Sequence, residues 1–153
     1  MSAFSGLIVA VLVALLLTCL RRPVAAAHIS EIRLLTALTV VAQSGHFIEE
    51  YRAGFHLSFP QLFGLAAWTD SFFVAFNLVW ITLWTIAIVL LPRWPGVAVF
   101  PVWFLAIAAM LNGLVHPLLA VSIGGYFPGL WSSPVIGVLG FLLLQKLAVA
   151  TRH

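Results

Sequence analysis

Long apolar runs cover most of this sequence and constrain its fold more than any other feature. Five runs approach the length of about 20 residues with which a helix crosses the hydrocarbon core of a bilayer. They cover residues 3–20, 32–50, 68–91, 97–117 and 134–150. The sequence therefore predicts an all-α, polytopic membrane helix bundle with about five transmembrane helices.

The composition supports a membrane location and argues against binding to nucleic acid. Hydrophobic residues make up 63% of the chain and charged residues only 7%, whereas an ordinary soluble domain carries about 25% charged residues. The net charge is +3 without any block of Lys or Arg, so no basic surface for nucleic acid is indicated. The single cysteine, Cys19, excludes a disulfide within the chain. Because no internal repeat or low-complexity linker is visible, we predict one integral-membrane domain over residues 1–153.

The basic residues are distributed unevenly between the connections and predict the orientation. If the N-terminus lies outside, only Arg52 of the seven basic residues falls on the outer side. The other six are Arg21, Arg22, Arg33, Arg93, Lys146 and Arg152. Since Lys and Arg concentrate in cytoplasmic connections, we predict the N-terminus outside and the C-terminus inside. The alternative has four spans, with the first or the last run lying differently.

Serine and proline residues predict details of two helices. Ser132, Ser133 and Pro134 have the pattern of an N-cap followed by proline in the first helical turn. Pro117 is predicted to break or kink the fourth span, because proline removes the hydrogen bond to the carbonyl of Gly113.

Polar residues of three runs fall at about one depth in this topology. The second and fourth runs lead outward and end in polar residues, and the third begins with one. The residues are His46, Glu49, Glu50, Asp70, Asn112 and His116. Because ionisable residues within spans are costly and usually face a bundle interior or a wet cavity, we predict a polar site near the outer face. The alternatives are a solvated helix end at residues 49–52 and interhelical hydrogen bonds that only hold the helices together.

Helical periodicity gathers these side chains into stripes. At about 100° per residue, Glu50 lies about 40° from His46, and Gln43 lies one turn below on the same face. Asn112 and His116 are four residues apart and also share a face. The second and fourth spans therefore each present one compact polar stripe.

Three short motifs resemble those of the HXXEE family of small bacterial multi-pass membrane proteins. That family is marked by HxxEE, NxxxH and YxPG, which stand here as HFIEE at 46–50, NGLVH at 112–116 and YFPG at 126–129. All three occur in order, and the resemblance covers nearly the whole chain. It implies a location in the bacterial cytoplasmic membrane and a site formed by the residues of these motifs. It implies no particular reaction.

The residue types in these motifs favour a metal-dependent enzyme. His46 and Glu50 can bind one ion from one helix face, and His116 can supply a third ligand. Nitrogen and carboxylate ligands in this number are typical of catalytic zinc with an open fourth position, and iron is the second candidate. Glu49 is then free to act as the general base. Asn112 is predicted to support a ligand or to hydrogen bond the substrate.

Two other functions fit the same residues. A metal-free acid–base isomerase of a sterol-like or isoprenoid-like substrate would use His and Glu with shifted pKa values. Aromatic residues at every fourth position of the third run can face a cationic intermediate, although a packing or lipid-facing role is the favoured interpretation. They are Trp68, Phe72, Phe76, Trp80 and Trp84. The other alternative is an ion-binding or transport protein, for which no inverted repeat is visible.

The connections add further candidates. Tyr126 is predicted to donate its phenol hydroxyl into the site from a type II turn at Pro128 and Gly129. Residues 51–64 are expected to lie on the membrane as a lid, where His56 is predicted to be interfacial rather than a ligand. A di-iron centre would need Asp70 as a further carboxylate.

The combined prediction is a membrane-embedded enzyme that acts on a lipid-like or other hydrophobic substrate near the outer face. A divalent metal would be held by His46, Glu50 and His116. The predicted catalytic set is Glu49, His46, Glu50, Asn112, His116 and Tyr126. Membrane lipids and a hydrophobic small molecule are the expected partners, and no organic cofactor is indicated.

Overall fold

The computed structural model describes residues 5–152, and all regular structure in this range is helical. Six α-helices follow one another, with a short 3-10 helix at Ala26–His28 between the first two. The helices are α1 (Ser5–Leu20), α2 (Ile29–Arg52), α3 (Phe55–Gln61), α4 (Asp70–Leu90), α5 (Pro95–Ile123) and α6 (Ser133–Ala150). The predicted all-α class is confirmed, and a helix occupies each of the five predicted segments. Residues 3–4 of the first segment lie outside the described residues.

Three helices, α4, α5 and α6, are long and apolar enough to cross a membrane. α1 is apolar but shorter, with 16 residues. α2 has 24 residues, but acidic and basic side chains near both of its ends make it less apolar than the other long helices. The three long apolar helices indicate a membrane protein, and the crossing of α1 and α2 stays a prediction.

α5 is the central helix of the bundle, because α6, α1, α4 and α2 all pack against it. Residues 102–107 of α5 are all buried, as expected for a helix that is hydrophobic on every side. α2 also packs against α6 and α4. The C-terminal ends of α2 and α5 therefore lie close to the N-terminal end of α6, where the polar motifs meet.

Glycines bring α5 and α6 into backbone contact. A Cβ on Gly113 would lie 2.4 Å from the Cα of Gly137, and a Cβ on Gly137 would lie 2.7 Å from the Cα of Gly113. Small residues at a helix crossing allow backbones in membrane bundles to approach this closely. The NGLVH motif thus supplies the closest part of this helix crossing as well as a polar stripe.

The proline and serine predictions are corrected in part. α5 continues through Pro117 to Ile123, so the helix does not end at this proline. Pro134 lies in the first turn of α6, as predicted, where the missing N–H has no helical partner to lose. Ser132 stands at the N-cap position, but its side chain makes no capping hydrogen bond to α6. The Ser132 hydroxyl forms hydrogen bonds with Glu49 and His46 of α2 instead.

Basic side chains meet at the end of the bundle opposite these motifs. Arg21 donates to a carbonyl of α6 at 2.9 Å, and Arg33 donates to a carbonyl of α4 at 3.1 Å. Lys146 forms an ion pair with Glu31. These contacts join the C-terminal ends of α1, α4 and α6 to the N-terminal end of α2. Three of the basic residues predicted on the inner side, Arg21, Arg33 and Lys146, thus lie at the same end of the bundle.

Candidate functional site

His46, Glu50 and His116 converge in the interior of the bundle. The Oε1 atom of Glu50 lies 3.4 Å from Nε2 of His46 and 3.4 Å from Nε2 of His116. The two imidazole rings pack edge to face with their centroids 4.7 Å apart. All three side chains are at most 7% exposed. The structure thus brings together, from α2 and α5, the three residues predicted as metal ligands.

Hydrogen bonds to the opposite ring atoms orient both imidazoles. Nδ1 of His116 lies 2.7 Å from the carbonyl oxygen of Pro128; because a carbonyl only accepts, this nitrogen carries the proton. Nδ1 of His46 lies 2.8 Å from Oγ of Ser132. Since Ser132 donates its single hydroxyl proton to Glu49, its oxygen accepts from His46. In the neutral form of each ring, Nε2 is therefore an unprotonated acceptor.

Three electron-pair acceptors consequently face one another in a dry interior. Two Nε2 lone pairs and the carboxylate of Glu50 repel each other unless a cation lies between them. Nε2 of His46 has no hydrogen-bond partner among the described residues. Protons on both rings or one divalent metal would satisfy the group, and the fixed Nδ1–H bonds are those that orient histidine ligands in metal sites.

The distances from Glu50 to the two histidines fit a tetrahedral metal. An ion with bonds of about 2.1 Å at tetrahedral angles separates its ligand atoms by about 3.4 Å, which is the distance from Glu50 to each histidine. All three ligand atoms lie within 4.8 Å of one another. Within residues 5–152 the group has three such residues, which leaves a fourth position for water or substrate.

Glu49 is anchored by hydrogen bonds on both of its oxygens. Oε1 accepts from the hydroxyl of Tyr126 at 2.8 Å and from the backbone N–H of Trp131 at 3.0 Å. Oε2 accepts from the backbone N–H of Ser132 at 2.8 Å and from the hydroxyl of Ser132. A carboxylate has about four lone-pair positions, and these four donors occupy them. Through Ser132 these contacts make Glu49 a positioning group for His46, and its role as general base stays a prediction.

The loop after α5 forms the turn that the YFPG motif predicts. The N–H of Leu130 donates to the carbonyl of Phe127 at 3.0 Å, and Gly129 between them has φ +91°. A positive φ at the third position, after proline at the second, is characteristic of a type II turn. This turn directs the carbonyl of Pro128 toward the histidine on α5.

Gly129 lies directly against both imidazole rings. A Cβ at this position would stand 2.5 Å from Cε1 of His116 and 2.8 Å from Cε1 of His46. Only a glycine fits so close to the rings, and only glycine readily adopts the positive φ. The YFPG loop therefore covers the histidines on the side opposite the bundle core.

Tyr126 links this loop to α2 through Glu49. Partial burial and the hydrogen bond to the Glu49 carboxylate raise the pKa of Tyr126 to about 12. The phenol thus stays protonated at neutral pH and remains a donor. Tyr126 donates to Glu49 and not to His46, Glu50 or His116. It therefore contacts the three clustered residues only indirectly, whereas the sequence predicts direct donation into the site.

A cavity of about 350 Å³ lies between α1, α4 and α5. Glu50 lines it and so connects it to the histidines, and Asn112 and Gln43 also line it. The aromatic stripe borders the same cavity with all five residues, Trp68 just before α4 and Phe72, Phe76, Trp80 and Trp84 on α4. The favoured sequence interpretation, packing or lipid contact alone, is therefore incomplete, because the stripe forms a cavity wall.

Asp70 and His56 pair with each other and stand apart from the three clustered residues. Nε2 of His56 lies 2.7 Å from Oδ1 of Asp70. His56 is buried and stacks on the rings of Tyr51 and Phe73. His56 is buried because α3 folds back over the bundle and its phenylalanines line the cavity. Its depth in the membrane stays a prediction.

Sequence reasoning missed Ser132 and the Pro128 carbonyl as partners of the histidines. Ser132 was assigned to a helix cap because its neighbours, Ser133 and Pro134, have a capping pattern. A backbone carbonyl has no signature in the sequence, although the turn that presents it does.

The Ser132 contacts predict a measurable effect on metal affinity. Ser132→Ala removes the hydroxyl that joins His46 to Glu49, and loss of such an outer partner typically weakens metal binding by about 10–100-fold. Competition with a chelator of known affinity measures the change. Ser122→Ala is the matched control, because its hydroxyl bonds only within α5. Equal affinities of the two variants would show that Ser132 does not position the ligand.

A comparison of the chain with protein-family models, curated proteins and solved structures finds no match.

Proposed function

We propose that the protein is a metal-dependent enzyme of the bacterial cytoplasmic membrane that acts on a hydrophobic substrate. The observation that carries the proposal is the convergence of two Nε2 lone pairs and a buried carboxylate at 3.4 Å. A bound zinc or iron ion with an open position would polarise a substrate oxygen or lower the pKa of water. The adjoining aromatic cavity supports an apolar substrate.

Each residue of the site has a separate role in this proposal. His46, Glu50 and His116 hold the ion, and the carbonyl of Pro128 fixes the ring of His116. Ser132 and Glu49 together fix the ring of His46. Asn112 lies on the cavity wall, where its amide can hydrogen bond the polar part of a substrate.

A metal-free acid–base isomerase is the second candidate function. The aromatic lining of the cavity favours it, because the faces of Trp and Phe rings attract cationic intermediates. In this case two protons take the place of the ion between Glu50 and the histidines. The metal measurement below separates the two candidates.

We also propose that the chain belongs to the HXXEE family. Residues of all three motifs take part in one site, which supports the proposal. HFIEE supplies His46 and Glu50, NGLVH supplies His116, and YFPG supplies the turn over both rings.

The proposed topology has five spans, with the N-terminus outside and this site near the outer face. The grouping of Arg21, Arg33 and Lys146 at the opposite end of the bundle supports it, because basic residues concentrate on the cytoplasmic side. Reporter fusions after Tyr126 and after Arg22 test the orientation. A cytoplasmic reporter at Tyr126 would contradict it.

Elemental analysis of the purified protein tests the metal. We expect about one zinc or iron ion per chain in the unaltered protein and less than about a tenth of that in His116→Ala. His28→Ala is the matched control, because His28 lies outside the site in the short 3-10 helix, and it should retain the metal. Metal well below one ion per chain, unchanged in His116→Ala, would contradict the proposal and favour the isomerase.

Catalysis is tested separately in cells. Lipid extracts from cells that express the protein should contain a product that is missing when Glu50→Gln is expressed at the same level. Mass spectrometry of the extracts measures the difference. Identical extracts across several growth conditions would count against an enzyme.

A further inference from the structure

The cavity beside Glu50 is elongated along α4. Phe72 and Trp84 both line it, and the 12 positions between them on α4 correspond to about 18 Å of helix. The cavity of about 350 Å³ follows this length of α4, and we call it the tunnel. A cavity elongated in this way accommodates one extended chain.

Flat aromatic rings form most of the tunnel wall. The aromatic stripe is joined by Phe55 and Phe59 of α3, by Phe63 just after α3 and by Phe104 of α5. The rings of Trp80 and Phe104 have centroids 4.2 Å apart, and those of Trp80 and Trp84 stack at 5.9 Å. Because these rings support one another, they present rigid faces to whatever occupies the tunnel.

Four polar side chains line the tunnel, Glu50, Asn112, Gln43 and Asn77, and only Glu50 contacts the histidines. Glu50 marks the histidine end, where Phe55 contacts the ring of His116 with centroids 5.5 Å apart. The opposite end, at Trp80, Trp84 and Phe104, is aromatic. A ligand with one polar head and one apolar chain is therefore oriented, with its head at Glu50.

We propose that the tunnel binds an unsaturated hydrocarbon chain with a polar head group, of which an isoprenoid alcohol is the simplest example. Planar double bonds stack on aromatic faces, whereas a saturated chain gains only from burial. An unsaturated chain also has fewer rotatable bonds and loses less conformational entropy when bound. The inference deepens the proposed function, on which it rests only in treating the bound molecule as substrate.

Competition between two probes tests the chain preference. The probes are geranylgeraniol and its fully hydrogenated counterpart, mixed in equal amounts with the purified protein in detergent and measured by native mass spectrometry. We expect geranylgeraniol to bind at least about tenfold more tightly. Equal affinities would overturn the preference for an unsaturated chain.

Two variants test the location. Phe76→Leu keeps an apolar side chain but removes one aromatic face, and we expect geranylgeraniol to bind about fivefold more weakly while the hydrogenated probe changes little. Phe141→Leu is the control, because Phe141 is 48% exposed on α6. Ala108→Trp fills the tunnel and should abolish binding of both probes. Undiminished binding to Ala108→Trp, or equal effects of the two Phe variants, would place the probes outside the tunnel.

Metal analysis of the same preparations keeps this inference distinct from the proposed function. Protein that binds geranylgeraniol in the tunnel without metal would overturn the metal-dependent function and leave the ligand assignment intact. Protein that holds its metal but fails the probe tests would overturn the ligand assignment and leave the metal-dependent function intact.

Discussion

Gly129→Ala is expected to abolish metal binding while the helices stay folded. The new Cβ would stand 2.5 Å from Cε1 and 2.6 Å from Nδ1 of His116. The His116 ring cannot move away easily, because its Nδ1 donates to the carbonyl of Pro128, the residue before Gly129. A non-glycine residue at φ +91° adds about 1–2 kcal/mol of backbone strain. Together these effects should lower metal affinity at least about 100-fold.

Chelator competition and circular dichroism measure the two parts of this expectation. Gly124→Ala is the matched control, because Gly124 also has a positive φ, +70°, but a Cβ there meets nothing within 4 Å. It imposes the backbone strain without the contact with the histidines and should keep its metal. Unaltered affinity in Gly129→Ala would mean that the loop does not press on the rings.

Gly137→Ala is expected to lower the free energy of unfolding by about 3 kcal/mol, at the upper end of overpacking effects. The added methyl group would meet the backbone of Gly113 at 2.7 Å, and a backbone cannot rotate away as a side chain can. α6 must therefore move from α5, and the Ser132 contacts at its start would move with it. Metal affinity should fall as well.

A glycine-to-alanine substitution in α2 should instead raise the free energy of unfolding. A Cβ on Gly45 meets nothing within 4 Å, so Gly45→Ala should stabilise the helix by up to about 1 kcal/mol. Thermal unfolding in detergent compares the two variants. Similar melting temperatures of both would contradict a close crossing of α5 and α6 at Gly113 and Gly137.

The sequence predicted the parts of this molecule that follow from periodicity along one helix. Apolar runs located the helices, and the spacing of His46 to Glu50 and of Asn112 to His116 placed each pair on one face. Charge distribution then predicted that the two faces meet at the same end of the bundle, which the structure shows. These steps used only local geometry and the membrane as a reference plane.

The errors concern contacts between segments that are distant in the sequence. Ser132 matches a helix cap by its neighbours, and only the packing of α6 on α2 shows that Glu49 takes its hydroxyl. The four donors around Glu49 were likewise not foreseen, because three of them come from the distant segment at residues 131–132. The burial of His56 was missed because the fold-back of α3 has no signature in the order of residues.

Glu50 contacts both histidines and also forms part of the tunnel wall, so the two sites share one side chain. Any occupant of the tunnel that alters this carboxylate changes the affinity for the ion, and the ion changes the affinity for the occupant by the same factor. Extraction in a detergent that empties the tunnel would then change the metal content without any mutation. Under the two proposals, metal occupancy would thus report lipid occupancy.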